Sequence, residues 1–460
     1  MENESFVQTK KLSILEGIAF NGVFILTQGF LLTGLALQFN VSEKVLAILG
    51  VIPMLSQMFQ IFSPKLLRLA KSRKKAMLIS ASISRPLFLI IPILLTLNLR
   101  NQYLLLLIML IFGAFNSLTG NFWVSIMRDI VSQESSGRFF GVRNLLISLF
   151  SMVMIYFYSW IVDSMGESAG FITITIIGSI FSLSSYFMLK KYEDPPKKEY
   201  LTGNIFKEAF SDENFKKFII FSFFWNFTIA ISGPFFSYHQ IVNLKLDYSY
   251  MSILAFIATG ISMVFYIIWG KISDKIGHQS VAEFSVFLAS LVSFIWVFMN
   301  PLTQGYLLVI DAFITGLAWS GINLTLFTIM LGIVNPGNVE AYFAVLSLTN
   351  GIGALTGSLI SGLSATLLKD IYFEIGGMPF YGIQFLFLTS GILRAISWLL
   401  LKKVKTRKEV SVPGYFFNAL YIVGRRAVSR PYEYASILAK TGKKLKKKIF
   451  KKKSIKPQKK

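Results

Sequence analysis

Twelve apolar runs of roughly 20 residues follow one another between residues 12 and 401, with short polar connections between them. Crossing about 30 Å of hydrocarbon takes about 20 apolar residues at helical rise, so each run is long enough to span a bilayer. The pattern predicts spans over 12–37, 44–62, 76–97, 103–127, 140–162, 169–189, 216–241, 250–269, 280–299, 305–333, 342–368 and 381–401. No run shows the ten-residue alternation of a membrane barrel, and lone strands leave backbone groups unpaired in lipid, so the spans are helices. Composition agrees, since 54% of the residues are hydrophobic and 44 are Phe, more apolar than soluble domains.

Basic residues set the expected orientation. With both termini in the cytoplasm, 20 of the 46 Lys and Arg residues lie in the tail after Leu401 and 20 in other cytoplasmic segments. Lys44, Arg100, Lys245 and Lys369 lie outside, and Arg85 and Arg394 within spans. This satisfies the positive-inside rule, and the expected location is the cytoplasmic membrane. The net charge of +23 is then a topological signal plus a basic tail and gives no reason to expect a nucleic-acid partner. The first apolar run is too long for a signal-peptide core and contains Glu16, so it is expected to remain as the first span. The absence of cysteine excludes disulfides and thiol chemistry, and His239 and His278 are too far apart for a ligand cluster. No cofactor or metal is expected.

The two halves repeat. A shift of 203 residues aligns Ile130-Val131 with Ile333-Val334, Phe139-Phe140 with Tyr342-Phe343 and Gly141-Val142 with Ala344-Val345. Between spans eight and nine lies Trp269-Gly270-Lys271-Ile272-Ser273-Asp274-Lys275-Ile276-Gly277-His278, expected as a short charged hairpin whose glycines permit the reversal. Ser63 to Arg68, between spans two and three, occupies the corresponding place. Gly-x-x-x-Asp-Lys-x-Gly-His, the twelve spans and the repeat resemble the major facilitator superfamily from about residue 12 to 401. The resemblance implies an all-α integral membrane fold of two six-helix bundles. The expected division is 1–189 for the amino-terminal bundle, 190–215 for a cytoplasmic linker, 216–401 for the carboxy-terminal bundle and 402–460 for a basic tail. Within the tail, Gly414 to Val428 reads as an interfacial helix, and Lys443 to Lys460 as a segment drawn to anionic lipid.

The resemblance also implies a function: a secondary transporter, expected monomeric, moving a small organic solute by alternating access, with proton coupling a possibility. A non-transporting sensor or scaffold on the same fold is the alternative. A membrane-embedded enzyme would need clustered acids, histidines or a metal site that the short loops lack. In the resembled fold, spans one, four, seven and ten line the cavity. Helical spacing then selects Asn21 and Gln28 on span one, Asn116, Thr119 and Trp123 on span four, and Trp225 and Asn226 on span seven. Span ten offers the stripe Asp311, Thr315, Trp319 and Asn323, with Asp311 the candidate coupling acid, a structural partner being the plainer role. Glu16 faces elsewhere and is expected to partner Arg143. Arg85 and Arg394 are expected in structural hydrogen bonds, and Glu283 is expected to snorkel towards headgroups. Gly233-Pro234 reads as a helix break, and the glycines of span eleven as a packing surface.

The cytoplasmic gate follows from the same resemblance. Gly270, Asp274, Lys275 and Gly277 are expected to meet the start of span five at Arg138 and Arg143. Arg68, standing where the pattern has aspartate, is expected to meet Glu340 in a charge-swapped mirror contact, unless it belongs simply to its basic loop. Span five, Phe140 to Val162, lacks the proline of drug antiporters in this superfamily, which argues against that substrate class.

Overall fold

The computed structural model describes residues 4–194, 212–333, 339–406 and 411–414. Among them, eleven helices are long and apolar enough to cross a membrane, and a bent pair supplies the twelfth span. Span one is that pair, Ser5–Thr27 and Gly29–Gln38, bent by 56°. The others are Glu43–Ala70, Arg73–Thr96, Gln102–Ile130, Arg138–Met165, Glu167–Lys190, Glu213–Asn243, Tyr248–Ile276, His278–Val297, Gln304–Ile333, Tyr342–Leu368 and Gln384–Leu401. Spans one to six and seven to twelve form two bundles. The linker residues 195–211 and the tail beyond residue 414, with its expected interfacial helix and lysine run, lie outside the described residues.

We call the end bearing the amino-terminus the near end and the opposite one the far end. At the near end each bundle has its own apolar core. Ala76, Met77, Leu118, Phe122, Met127 and Leu189 build the first, and Phe215, Phe221, Trp225, Val286, Ile322 and Val345 the second. At the far end one core belongs to both bundles, because Leu35, Leu46 and Phe171 pack in the same cluster as Phe235, Tyr248 and Trp296. Small residues allow the close approach, since lipid supplies no hydrophobic force between helices and contact area must. A Cβ on Gly50 would lie 2.4 Å from Cγ of Pro234, and one on Gly362 would lie 2.8 Å from Cα of Lys44. The bundles therefore splay apart at the near end.

Local breaks differ from expectation in three places. The helix runs unbroken through Gly233-Pro234, and irregularity comes later, in a wide π turn over His239–Asn243. The break lies in span one instead, where Gln28 is extended and Gly29 takes φ +61. The charged hairpin after span eight is helical through Ile276 and reverses at the single residue Gly277, whose φ of +92 suits glycine. Gly270 sits in ordinary helix with open space around it, so its conformation does not require glycine. One element departs from the all-helical expectation: β1 (Tyr372–Ile375) and β2 (Met378–Tyr381) form an antiparallel hairpin at the far end, turned by Gly376 and Gly377 at φ +59 and +81.

The expected packing role of the span-eleven glycines has a testable form. A Cβ on Gly353 would lie 2.5 Å from the carbonyl oxygen of Phe223, and one on Gly357 2.3 Å from that of Phe227, so either would force spans seven and eleven apart. Gly353→Val should cost roughly 1–3 kcal/mol, the usual penalty of overpacking, as a lowered thermal midpoint in detergent. Gly260→Ala, where a Cβ meets nothing, should leave the midpoint unchanged or raise it, since alanine favours helix by about 1 kcal/mol.

Candidate translocation site

Gly29 begins the ten-residue outer segment of span one, which ends at Gln38. At 1.5 Å per residue the break lies about 14 Å from the far end, close to the middle of a roughly 30 Å hydrocarbon layer. No side chain caps the outer segment, so its first amides have no cap there, and Gln28 and Gly29 are exposed. Beside the break, spans one, two and four enclose a recess of about 140 Å³. Phe24, Ile52 and Phe112 form apolar walls, and Thr27, Gln57 and Asn116 bring hydroxyl and amide groups. Such a mixture suits a solute with an apolar ring or chain and a few hydrogen-bonding groups.

The expected polar residues of the first bundle divide. Asn116 lines the recess, and its Oδ1 accepts a 2.9 Å hydrogen bond from Nη1 of Arg85. Asn21 joins span one to span five, accepting from the Ser151 hydroxyl at 3.3 Å. Thr119 is buried against its own helix, donating to the Phe115 carbonyl. Trp123 turns towards span five, with the Arg143 guanidinium 4.2 Å above its ring. Four groups of the expected cavity set therefore lie at different depths and azimuths, and only Asn116 shares the recess beside Gln28.

Glu16 does not bond Arg143. It accepts a 2.7 Å hydrogen bond from Ser185, with Nη2 of Arg85 at 3.9 Å. Arg143 instead donates to the Ser13 carbonyl at 3.2 Å. Arg85, 2% exposed, also donates to Ser185 and lies 4.0 Å over the Phe20 ring. A buried charge is tolerable only when paired and hydrogen-bonded, and spans one, three, four and six together supply that environment. Glu283 is buried too, held by Gln279 at 3.1 Å, so it does not snorkel. The reason is Gln279, which also reaches Thr406 and anchors the chain after span twelve across the near end of span nine.

In the second bundle Trp225 and Trp319 lie 6.1 Å apart, Trp225 buried in the near-end core. Asn226 donates back to the Ser222 carbonyl. Along span ten, Thr315 donates to Asp311 at 3.4 Å, and Asn323 is exposed and reaches the Tyr266 hydroxyl of span eight at 3.4 Å. Asp311 points into the bundle, accepting a 2.9 Å hydrogen bond from the Trp296 indole of span nine, within electrostatic reach of Arg394. Arg394 donates to the Ala289 carbonyl and the Ser232 hydroxyl, both at 3.0 Å, and its Nε has no hydrogen-bond partner.

At the near end, Asp274, Lys275 and Arg138 are exposed, and no ion pair joins Asp274 to Arg138 among the described residues. Arg68 is exposed on a short helix, Ser63–Ala70, that ends at Lys71 with φ +59. The side chain of Glu340 lies outside the described residues. The ties between bundles concentrate at the far end. The carboxylate of Asp163 on span five accepts the Tyr248 and Ser249 amides of span eight at 3.0 and 2.7 Å, and Lys369 of span eleven meets Glu43 of span two at 3.4 Å. Sequence reasoning missed both. A carboxylate one turn from a span's end was the only trace of the first.

No curated protein matches the sequence. Solved structures do: the nucleoside transporter NupG (16% identity, TM-score 0.64) aligns over 88% of this chain and 100% of that one. A D-xylose-proton symporter (13%, 0.65) aligns over 88% and 100%. A bacterial homologue of the human lysosomal transporter Spinster, inward-facing and unoccupied (12%, 0.59), aligns over 88% and 98%. At these identities the likeness establishes the fold alone. The family model of the Major Facilitator Superfamily matches residues 12–358, three quarters of the chain and both halves of the repeat, and the protein is a member of that superfamily.

Proposed function

We propose that the chain is a secondary active transporter that carries a small organic solute across the cytoplasmic membrane by alternating access, with both termini in the cytoplasm. One observation carries the reading: two bundles share a core at the far end, have separate cores at the near end, and hold an amphipathic recess at a mid-span helix break. With the termini inside, this is an inward-open state. Lys and Arg crowd the near-end loops and favour that orientation. The tail then lies beside the inner leaflet, where its lysines meet anionic lipid. The protein acts as a monomer, since each chain holds both bundles.

The solute meets Gln28, Asn116 and the aromatic walls from one side and Trp319 and Asn323 from the other. The apolar walls favour a sugar-sized or nucleoside-sized molecule with an uncharged polar edge over a strongly charged one, because an unpaired charge in such a recess stays desolvated. Asp311 is the coupling candidate: a carboxylate held by two donors beside an arginine releases or retains that arginine as it gains or loses a proton.

Sealed vesicles containing the protein should accumulate at least one member of a metabolite panel, faster under an inward-directed pH gradient. Absence of flux across sugars, nucleosides and organic cations counts against transport. Asp311→Asn should abolish gradient-driven accumulation while leaving solute exchange in place; gradient-driven flux that survives the substitution assigns coupling elsewhere.

The inner gate is tested separately. In the inward-open state Asp274 and Arg138 are apart, and their contact, with that of Arg68 and Glu340, belongs to the outward-open state, in which the near end closes. Arg68→Glu and Glu340→Arg should each slow transport several-fold, and the double exchange should recover most of the loss. A double variant no better than the singles removes the pair.

A further inference from the structure

The far end is closed by an arrangement that gives it two alternative states, and we infer that Asp163 is a gating residue that selects between them. The inference rests on alternating access as read above. Span eight begins at Tyr248, preceded by Asp247 in the extended backbone of a helix cap, φ −63 and ψ 142. Aspartate at that position ordinarily accepts the second and third amides of its own helix. Asp212 does so at the start of span seven, and Asn101 at the start of span four. Asp247 does not: its side chain makes no capping bond.

The cap comes from the other bundle. Oδ1 of Asp163 accepts the Tyr248 amide at 3.0 Å and Oδ2 accepts the Ser249 amide at 2.7 Å. Both are charge-assisted bonds to a helix amino-terminus, where the aligned peptide dipoles favour an anion. The side chain of Tyr248 continues the tie. Its hydroxyl donates to Glu167 of span six at 3.4 Å, Glu167 accepts from Gln38 of span one at 2.9 Å, and its ring lies 5.6 Å from that of Phe171.

Two carboxylates therefore compete for the Ser249 amide, because Asp163 holds the first and second amides of span eight while a cap from Asp247 would take the second and third, as those of Asp212 and Asn101 do. With the far end closed, Asp163 holds that amide across the bundle interface. When the bundles separate there, Asp247 rotates in and caps its own helix, so the Ser249 amide is paired in both states and the barrier is lowered. The far end is bistable because span eight carries an unused cap of its own.

The two residues must then act in opposite directions, and a merely structural role would not produce that. The chain has no cysteine, so nitroxides can be placed singly. A pair at Ser164→Cys and Lys245→Cys, both exposed and outside the capping bonds, reports the far-end separation in lipid vesicles. Asp163→Ala should raise the long-distance population about threefold to tenfold, the scale of a lost helix cap, and Asp163→Asn should raise it less. Asp247→Ala should lower it. Thermal unfolding of each variant establishes that it is folded. An Asp163→Ala distribution equal to that of the parent, or a shift of the same sign for Asp163→Ala and Asp247→Ala, overturns the inference. The readout needs no solute: flux with distances blind to Asp163 removes the latch and keeps the transporter, whereas distances that respond without flux do the reverse.

Discussion

The rest of the structure depends on one apolar core being shared at only one end of the molecule. Helices in lipid gain little from hiding apolar surface, because the solvent is itself apolar, so close contact and polar ties decide where the bundles touch. Gly50 against Pro234 and Gly362 against Lys44 give that contact at the far half of spans two, seven and eleven. A second shared cluster, Val51 and Leu55 with Ala230 and Ala354, carries the contact to the middle of spans two, seven and eleven, and beyond it the cores around Met77 and Phe221 are separate. A wedge-shaped opening follows from this distribution of small residues, and the recess beside Gln28 lies within the first bundle, among spans one, two and four.

Buried charge is handled within each bundle. Glu16 and Arg85 sit on the first and third spans of the first half, and Asp311 and Arg394 on the first and third of the second half's last three spans. Each acid takes hydrogen bonds from uncharged donors, Ser185 in one case and Trp296 with Thr315 in the other, and each arginine stays within its partner's field. The pairs differ in how complete they are. Arg85 also donates to Asn116, itself a wall of the recess, whereas Arg394 retains an unpartnered Nε. The first pair is joined to the recess through Asn116, and the second keeps spare hydrogen-bonding capacity at Arg394.

Apolar run length made the fold legible. All twelve spans stand where run length put them, most within a few residues of the expected ends. What run length and residue type could not show was how helices continue past apolar boundaries. The segment from Gly270 to Ile276 is polar enough to read as a loop, yet its backbone bonds are satisfied in helix and its charges reach water. Pro234 sits where a neighbouring helix offers Gly50, so its ring is accommodated without a break. The break at Gln28-Gly29 has no proline to announce it, and only the glycine's positive φ explains it. The Gly376-Gly377 turn between Tyr372-Phe373 and Phe380-Tyr381 was a readable hairpin signal that the helical context obscured. Side-chain partners were the least legible, since Arg85 rather than Arg143 meets Glu16 only because spans three and six converge on span one.

Spans five and eight carry the residues proposed for both gates, and this geometry links the two ends. They contain 28 and 29 residues, so each is a rod of about 42 Å at helical rise, with Asp163 and Tyr248 near one pair of tips and Arg138 and Asp274 near the other. Rods packed at one tip and inclined to each other cannot meet at both. A bond gained by Asp163 at the far end is therefore geometrically opposed to one between Arg138 and Asp274 at the near end, with no signal needing to pass through the solute.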